Sequence, residues 1–272
     1  MGLRVNTNVA ALTSQRNLGA VSSRLQGNFA RLSSGLRIAT AADDAAGLGI
    51  SERMRGQIRS LTVASRNAQD GVSMAQTAEG ALQEVSNNLT RMRELAVQAS
   101  NGTLTTADRS TLDTEFQALV TEVNRVASQT TFNGVNLLDG STTSLNIQVG
   151  RDSGETIALS LSDTTSTGLS IGSLSVSSSA NASTALAAID TAIDTVTTTR
   201  GTLGAQMNRL TSAISSILNT RDNLSAAESR IRDVDVATET SDLTRNSILQ
   251  QAAISVLSQA NVQPQLALRL LA

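Results

Sequence analysis

Residues 203–217 read Leu-Gly-Ala-Gln-Met-Asn-Arg-Leu-Thr-Ser-Ala-Ile-Ser-Ser-Ile, so apolar side chains follow one another in strict steps of four and three. The same steps run from position 186 to position 231, and most of these positions are apolar. Such a spacing is typical of a coiled-coil helix whose seam faces partner helices. At 1.5 Å per residue the span predicts about 69 Å of helix, and therefore a rod. We call Leu203, Met207, Leu210, Ile214 and Ile217 the rod seam.

Partner helices for this seam are predicted in the N-terminal half. Between positions 54 and 96 apolar residues recur in steps of three, four or seven, until Asn101-Gly102 interrupts the pattern. A further helix is predicted from about Thr106, with Thr105 as its cap and Asp108 in its first turn. Three helices can thus pack side by side.

The strand-like region lies between these helices. Residues 145–149 and 157–161 alternate apolar with polar side chains, and Gly150–Gly154 between them has hairpin chemistry. More than half of residues 160–184 are Ser or Thr, which predicts a surface or outer-tip segment. The predicted fold class is mainly α: an elongated antiparallel coiled-coil or helical-bundle rod, a small β-hairpin region at about 140–184, and paired terminal helices.

The two ends of the chain carry more apolar residues than one helix face can hold. A helix that is apolar on several sides must be buried on several sides, and neighbouring molecules are the economical way to bury a chain terminus. The alternative is that the two terminal helices pack only on each other. The residues predicted to drive polymerisation are Val5, Val9, Leu12, Val21, Leu25, Phe29, Leu32, Ile248, Ala252, Val256, Leu257, Leu266 and Leu270.

The composition excludes several kinds of chemistry. The 272 residues include no His, no Cys and three aromatic side chains, all Phe. Catalytic triads, zinc sites with nitrogen or sulfur ligands, disulfides and thiol redox chemistry therefore cannot be built. The net charge of -2 and the scarcity of stacking residues argue against a nucleic-acid partner, and no apolar run has the length of a membrane span. No catalytic residue, metal ligand or cofactor is predicted.

Asp43-Asp44 is the adjacent pair of acids that a general acid-base mechanism would use. Its context, Thr40 through Gly47, instead has the pattern of a helix start with favourable N-terminal acids. The pair is therefore interpreted as a helix start.

Several segments together resemble bacterial flagellins. In the N-terminal half the similar segments are Arg31-Leu-Ser-Ser-Gly-Leu-Arg37, Asp43-Asp-Ala-Ala-Gly47, Asn67-Ala-Gln-Asp-Gly71, Arg93-Glu-Leu-Ala-Val-Gln98, Phe132-Asn-Gly134 and Leu137-Leu-Asp-Gly140. In the C-terminal half they are Ala227-Glu-Ser-Arg-Ile-Arg-Asp-Val-Asp235 and the run from Gln259-Ala-Asn261 to Leu270-Leu271. Their order and spacing match over nearly the whole chain, without the variable outer domains.

The resemblance implies a secreted subunit that polymerises into the extracellular bacterial flagellar filament for swimming motility. It implies export in an unfolded state through the flagellar type III channel, and as partners other copies of the chain, an export chaperone, and cap and junction proteins. It divides the chain into an inner terminal-helix domain, 1–40 with 235–272, and a rod domain, 41–234. In this family the inner domain is disordered in the monomer and helical in the filament.

The resemblance also implies a host partner. In flagellins that activate the flagellin-sensing Toll-like receptor, an Arg, a Leu four residues later and a Glu on the next helix form the contact. The corresponding residues here are Arg91, Leu95 and Glu115. Positions i and i+4 share one helix face, although Leu95 fits equally well as a residue packed inside the rod.

Rival classes remain at this stage. A hook-filament junction-type protein would share the terminal helices but match the central segments less well. An enzyme would need a site that this composition does not offer, and a membrane-active amphipathic peptide fused to a coiled coil would need basic faces at both ends.

Overall fold

The structure is a computed structural model that describes residues 7–271, with side chains described for residues 7–263. In that range the chain forms five helices and four short strands. They are α1 (Val9–Ser34), α2 (Ala45–Ser100), α3 (Thr106–Gln129), β1 (Thr131–Phe132), β2 (Val135–Asn136), β3 (Ser144–Gln148), β4 (Thr156–Ser160), α4 (Ser179–Arg232) and α5 (Val236–Leu271). The predicted mainly α fold class, with its small hairpin and paired terminal helices, is confirmed.

The described residues pack as two compact units. One comprises residues 57–222, and the other brings together residues 7–56 and 223–271. The units divide inside α2 and inside α4, so each of these helices contributes to both. The division at 40/41 and 234/235 that the family resemblance implies stays a prediction.

The core of the 57–222 unit is built from apolar side chains on three helices. Leu89 and Met92 of α2, Phe116 of α3 and Ile189 and Leu203 of α4 are fully buried in one cluster. Many other members are alanines, which allow helix backbones to approach closely. Within the rod seam Leu203, Leu210 and Ile217 are buried, and Met207 and Ile214 are half-buried.

A charged side chain at a seam position ties α4 to α2. The guanidinium of Arg200 donates two hydrogen bonds to Oε1 of Glu79, at 2.8 and 2.9 Å. The aliphatic stem of an arginine can lie along an apolar seam while its planar head reaches a carboxylate at the edge. Arg200 therefore interrupts the apolar pattern while its guanidinium stays paired with the Glu79 carboxylate.

The break between α2 and α3 follows the predicted chemistry. Thr105 accepts a hydrogen bond from the Asp108 backbone N–H, and the Asp108 carboxylate accepts from the Thr105 N–H, which is a complete capping box. The Arg109 guanidinium then donates to the carbonyl oxygens of Ala99 and Asn101, both at 2.9 Å. These carbonyls lie at the C-terminal end of α2 and immediately beyond it, so α3 satisfies backbone acceptors where α2 ends.

The predicted hairpin is confirmed as β3 and β4, which pair antiparallel with Leu145 opposite Leu159 and Ile147 opposite Ile157. Ile157 is buried against Ala68 of α2 and Leu210 of α4. The inward face of the hairpin therefore extends the core of the helices.

Sequence analysis missed a second hairpin. β1 and β2 pair antiparallel, with Phe132 opposite Val135. The two residues between them, Asn133 and Gly134, have φ of 48° and 79°. Positive φ at both central positions is the geometry that favours Asn-Gly in a two-residue turn, so the signal was present in the sequence.

The prediction of a surface or outer-tip segment at 160–184 is wrong in part. Leu161, Leu169, Ile171 and Val176 are buried in the same core as the helices, and residues from Ser179 onward already belong to α4. Each apolar residue is isolated among Ser and Thr, so composition alone gives no periodic signal. The segment is an irregular strap that inserts single aliphatic side chains into the core.

We predict that Leu210→Ala destabilises the 57–222 unit by about 2–5 kcal/mol, because it removes a fully buried side chain and leaves a cavity. The measurement is chemical unfolding of the monomer followed by circular dichroism. Arg209→Ala, on the exposed neighbouring position, is the control and should change stability little. An unchanged unfolding midpoint for Leu210→Ala would mean that the seam serves contacts between molecules instead.

Candidate assembly interface

The terminal helices α1 and α5 pack on each other as an antiparallel pair. The Asn8 side chain donates to the Ala260 carbonyl at 2.7 Å, and the Gln250 side chain donates to the Ser22 hydroxyl at 3.4 Å. The residues that face the partner helix recur in steps of three and four. They are Ala11, Ser14, Leu18, Val21, Leu25, Asn28 and Leu32 on α1, and Glu239, Leu243, Asn246, Gln250, Ala253, Leu257 and Ala260 on α5. We call these fourteen positions the terminal seam.

A second set of apolar side chains on the same helices has no partner within the described residues. Val9 and Ile248 are each 61 % exposed, and Phe29 is 55 % exposed. Ile248, Ala252 and Val256 recur every four residues, so they line one face of α5. Scattered exposed apolar residues are ordinary, but a contiguous face of them marks an interaction surface.

The residues predicted to drive polymerisation divide between these two locations. Val9, Leu12, Phe29, Ile248, Ala252 and Val256 are exposed, whereas Val21, Leu25, Leu32 and Leu257 are half-buried in the terminal seam. Val5 lies outside the described residues, and the side chains of Leu266 and Leu270 are likewise outside the described part. The structure adds exposed apolar residues that the prediction did not name, among them Val236, Leu249, Ile254 and Val262.

Sequence analysis missed the polar members of the terminal seam. Asn28, Glu239 and Asn246 are all more than nine-tenths buried, and Asn28 is hydrogen-bonded to both of the others. Polar residues do recur on α5 in the steps of three and four that define the seam, and these could have been found in the sequence. They were overlooked because the many apolar residues around them suggested that α5 is apolar on every side.

The two loops that lead out of α1 and into α5 are joined through their backbones. Leu36 forms an antiparallel bridge with Asp233. The Val234 N–H donates to the Gly35 carbonyl at 3.0 Å, and the Arg37 N–H donates to the Arg232 carbonyl at 2.7 Å. Gly35 has φ of 71°, which permits the chain to turn sharply after α1. This bridge joins the segment after α1 to the segment before α5.

An ion pair lies next to that bridge. The guanidinium of Arg232, which is nearly buried, donates to the Glu52 carboxylate. This hydrogen bond is the main reason that the pKa of Glu52 lies below its ordinary value. The pair holds the end of α4 against the first turns of α2 in the unit formed by the chain ends.

The acid pair Asp43-Asp44 occupies the start of α2, as interpreted from the sequence. Asp44 accepts a hydrogen bond from the Gly47 N–H at 2.9 Å, which caps the helix. Asp43 accepts from the Thr40 N–H at 2.9 Å, and chiefly for this reason its pKa lies below the ordinary value. For Asp43 these hydrogen bonds favour the ionised form over the proton donor that acid catalysis needs.

The structure separates the three predicted receptor residues. Arg91 and Glu115 are exposed, and the Arg91 guanidinium donates to the Glu115 carboxylate at 2.8 and 2.9 Å. A further hydrogen bond joins Arg91 to Glu94 at 2.9 Å. Leu95 is only 1 % exposed and belongs to the core. The sequence left open whether Leu95 is a receptor contact or a residue packed inside the rod, and the structure places it in the interior.

In the part of the chain that the structure describes, no helix combines the length and the apolar character needed to cross a membrane.

Comparison with protein families gives two matches on this chain. Residues 5–143 match the bacterial flagellin N-terminal helical region, and residues 186–271 match the bacterial flagellin C-terminal helical region. Together they cover well over half of the chain, including both terminal helices.

Similar curated proteins match along their whole length. The flagellin of Halalkalibacterium halodurans is 48 % identical over 269 residues, which is 98 % of this chain and 99 % of that protein. The flagellin of Bacillus subtilis is 44 % identical over 303 residues, with 99 % and 100 % covered. Flagellin FlaB2 of Treponema pallidum is 41 % identical, with 98 % and 99 % covered.

Solved structures show the same fold. The crystal structure of Bacillus cereus flagellin is 37 % identical, with a TM-score of 0.52 over 60 % of this chain and 94 % of that one. A putative flagellar hook-associated protein from Vibrio parahaemolyticus reaches a TM-score of 0.60 over 70 % of this chain and all of that one, but at 16 % identity it shows the fold alone. The family matches and the relatives that match along nearly their whole length together establish that this chain belongs to the bacterial flagellin family.

Proposed function

We propose that the exposed apolar faces of α1 and α5 are the surfaces through which this flagellin polymerises. As a flagellin, the chain is a structural subunit of the extracellular bacterial flagellar filament, and motility follows from that role. The observation that supports these particular surfaces is the row Ile248, Ala252 and Val256, which is exposed on a helix whose opposite face is already occupied by α1. In a self-assembling subunit, the partner that covers this row of apolar residues is a second copy of the chain.

The alternative of a hook-junction protein is less well supported. Its fold is shared, as the likeness to the Vibrio hook-associated protein indicates. Sequence separates the two, because the flagellin of Halalkalibacterium halodurans is 48 % identical to this chain over nearly its full length, whereas the hook-associated protein is 16 % identical. The filament subunit is therefore the favoured function.

We further infer that the terminal helices are disordered in the monomer and become helical on assembly. α1 and α5 share one seam that is only partly apolar, and their outer apolar faces gain burial only from neighbours. Coupled folding and binding is the expected behaviour of segments that cannot bury enough apolar surface alone.

Export in an unfolded state, with a chaperone, cap and junction proteins as partners, is a proposal that rests on family membership. The composition is compatible with it, because a chain without cysteine forms no disulfide that would have to be reduced before threading.

We predict that Ile248→Ser combined with Val256→Ser raises the critical concentration for polymerisation by more than a hundredfold. Each side chain, if buried in the filament, contributes about 1.5–3 kcal/mol, and every 1.4 kcal/mol is about a factor of ten in affinity. The measurement is sedimentation of seeded filaments. Ile248→Val with Val256→Ile keeps the face apolar and should polymerise normally, whereas normal polymerisation of the serine variant would contradict the proposed surface.

We predict that hydrogen exchange in the monomer is fast for residues 1–35 and 245–272 and slow for 55–125 and 186–224. In filaments the terminal segments should gain protection, because neighbours then cover their apolar faces. Equal protection of ends and middle in the monomer would show that the terminal pair is stable alone.

A host contact is a separate proposal, supported by the exposure of Arg91 and Glu115. We predict that Arg91→Ala or Glu115→Ala weakens binding of the monomer to the flagellin-sensing Toll-like receptor by at least about tenfold, as expected for truncation of a charged hot spot. Arg125→Ala, which removes another exposed arginine paired with an acid on α3, is the matched control. Unaltered affinity of both variants in a surface-binding assay, or tight binding by intact filaments, would contradict the proposal.

A further inference from the structure

The apolar part of the terminal seam does not define a unique alignment of α1 with α5. Leu18, Leu25 and Leu32 are spaced by seven residues on α1, and Leu243 and Leu257 fall in one heptad position on α5. If one helix slid by seven residues, about 10.5 Å, leucine would again lie beside leucine. Apolar packing alone therefore leaves several alignments of similar energy.

The polar residues of the seam behave differently. Asn28 donates from Nδ2 to Oε1 of Glu239 at 2.8 Å and accepts at Oδ1 from Nδ2 of Asn246 at 3.0 Å. The three residues are 7 %, 7 % and 8 % exposed, so water does not replace these hydrogen bonds. Glu239 and Asn246 are themselves one heptad apart, and Asn28 lies between them and bonds to both.

The direction of each hydrogen bond follows from the chemistry of the groups. The Asn28 amide nitrogen donates to a carboxyl oxygen of Glu239, and the Asn28 amide oxygen accepts from the amide nitrogen of Asn246, so both ends of the Asn28 amide are used. The guanidinium of Arg31, 3.9 Å from the same Glu239 oxygen, supplies a cation at the open side. Only in the observed alignment do Glu239 and Asn246 both have a partner.

A slip of seven residues would break this arrangement in either direction. Sliding α1 one way would keep Asn28 beside Glu239 but bring Val21 to Asn246, and sliding it the other way would keep Asn28 beside Asn246 but bring Gly35, which lies beyond the end of α1, to Glu239. In either direction one buried polar group would lose its partner and face a methyl group or nothing. Buried polar groups without partners are strongly unfavourable, whereas the packing energy of the leucines would change little.

We propose that Asn28, Glu239 and Asn246 form a register key that selects one antiparallel alignment of α1 and α5. The key determines which outward residues of the two helices come to the same level, and hence the surface offered to a neighbouring subunit. For that consequence the inference rests on the proposed function, but the alignment itself is measured by a cross-linking ratio and not by the extent of assembly.

The test uses the absence of native cysteine. Ser22→Cys with Gln250→Cys places two thiols where the native side chains are in contact, and Gln15→Cys with Gln250→Cys places them one heptad apart in the observed alignment. Treatment of the full chain with a short bis-maleimide should cross-link the first pair and leave the second almost unreacted. The second pair reports an alignment shifted by seven residues.

The key is then removed without leaving an unpaired group, by combining Asn28→Leu, Glu239→Leu and Asn246→Leu. We expect the ratio of 22–250 to 15–250 product to fall by about tenfold or more, because the shifted alignment no longer buries unsatisfied polar groups. Asn17→Leu with Asn261→Leu, at exposed positions on the same two helices, is the control and should leave the ratio unchanged. A ratio that stays at the native value in the triple-leucine background overturns the proposal.

A rescue pair separates the key from a general effect on helix packing. Asn28→Asp sets two carboxylates against each other and should lower the 22–250 yield, and adding Glu239→Gln should restore it, since the new amide donates to the new carboxylate. Failure of the second substitution to restore the yield also overturns the proposal. Cross-linking is read in filaments that contain a small fraction of the cysteine-bearing chains among unmodified ones, where α1 and α5 are ordered, and sedimentation of each variant alone reports assembly. An unchanged cross-link ratio counts against the register key, whereas normal assembly of the Ile248→Ser, Val256→Ser variant counts against the polymerisation surface, so the two failures are distinguishable.

Discussion

Close approach of helices through small aliphatic side chains is the constraint on which this structure depends. The chain has no Trp or Tyr and three Phe, so large rings cannot fill a broad core. It relies instead on narrow seams of Ala, Leu, Val and Ile, in which each side chain is buried by the helix opposite. A seam of this kind needs a partner along its whole length. The long helices, the hairpin that extends their core and the strap that inserts four aliphatic residues are all ways of supplying that partner.

The two compact units satisfy this constraint to different degrees. In residues 57–222 three helices, a hairpin and an irregular strap surround the apolar residues, so that many are fully buried. In the unit formed by the chain ends, α1 and α5 cover only one face of each other, and apolar residues on the outer faces stay exposed. In the proposed function this unmet burial of the terminal pair is what favours polymerisation, since a neighbouring subunit would supply the burial that the chain itself lacks.

Polar groups in the seams supply specificity where apolar residues cannot. Arg200 reaches Glu79 across the edge of one seam, and Asn28 joins Glu239 and Asn246 inside another. Burying such groups gives little net stability, but an alignment that leaves them without partners is penalised. Alignment matters greatly for a subunit whose outer faces must match those of identical neighbours.

The sequence by itself determined the helices, the β3–β4 hairpin and the family. Heptad spacing, the Thr105–Asp108 cap and the alternation of residues 145–149 and 157–161 are local patterns. Each involves residues close together in the sequence, so it can be recognised without knowledge of the fold. Only the tertiary structure decided which of the terminal apolar residues face α1 or α5 and which face outward, because α5 is apolar on more than one side. The same holds for the burial of Leu95 and of the isolated aliphatic residues of the 160–184 strap, which depends on contacts with distant segments. The pairing of Asn28 with Glu239 and Asn246 joins residues more than two hundred positions apart, and no local pattern in the sequence contains that information.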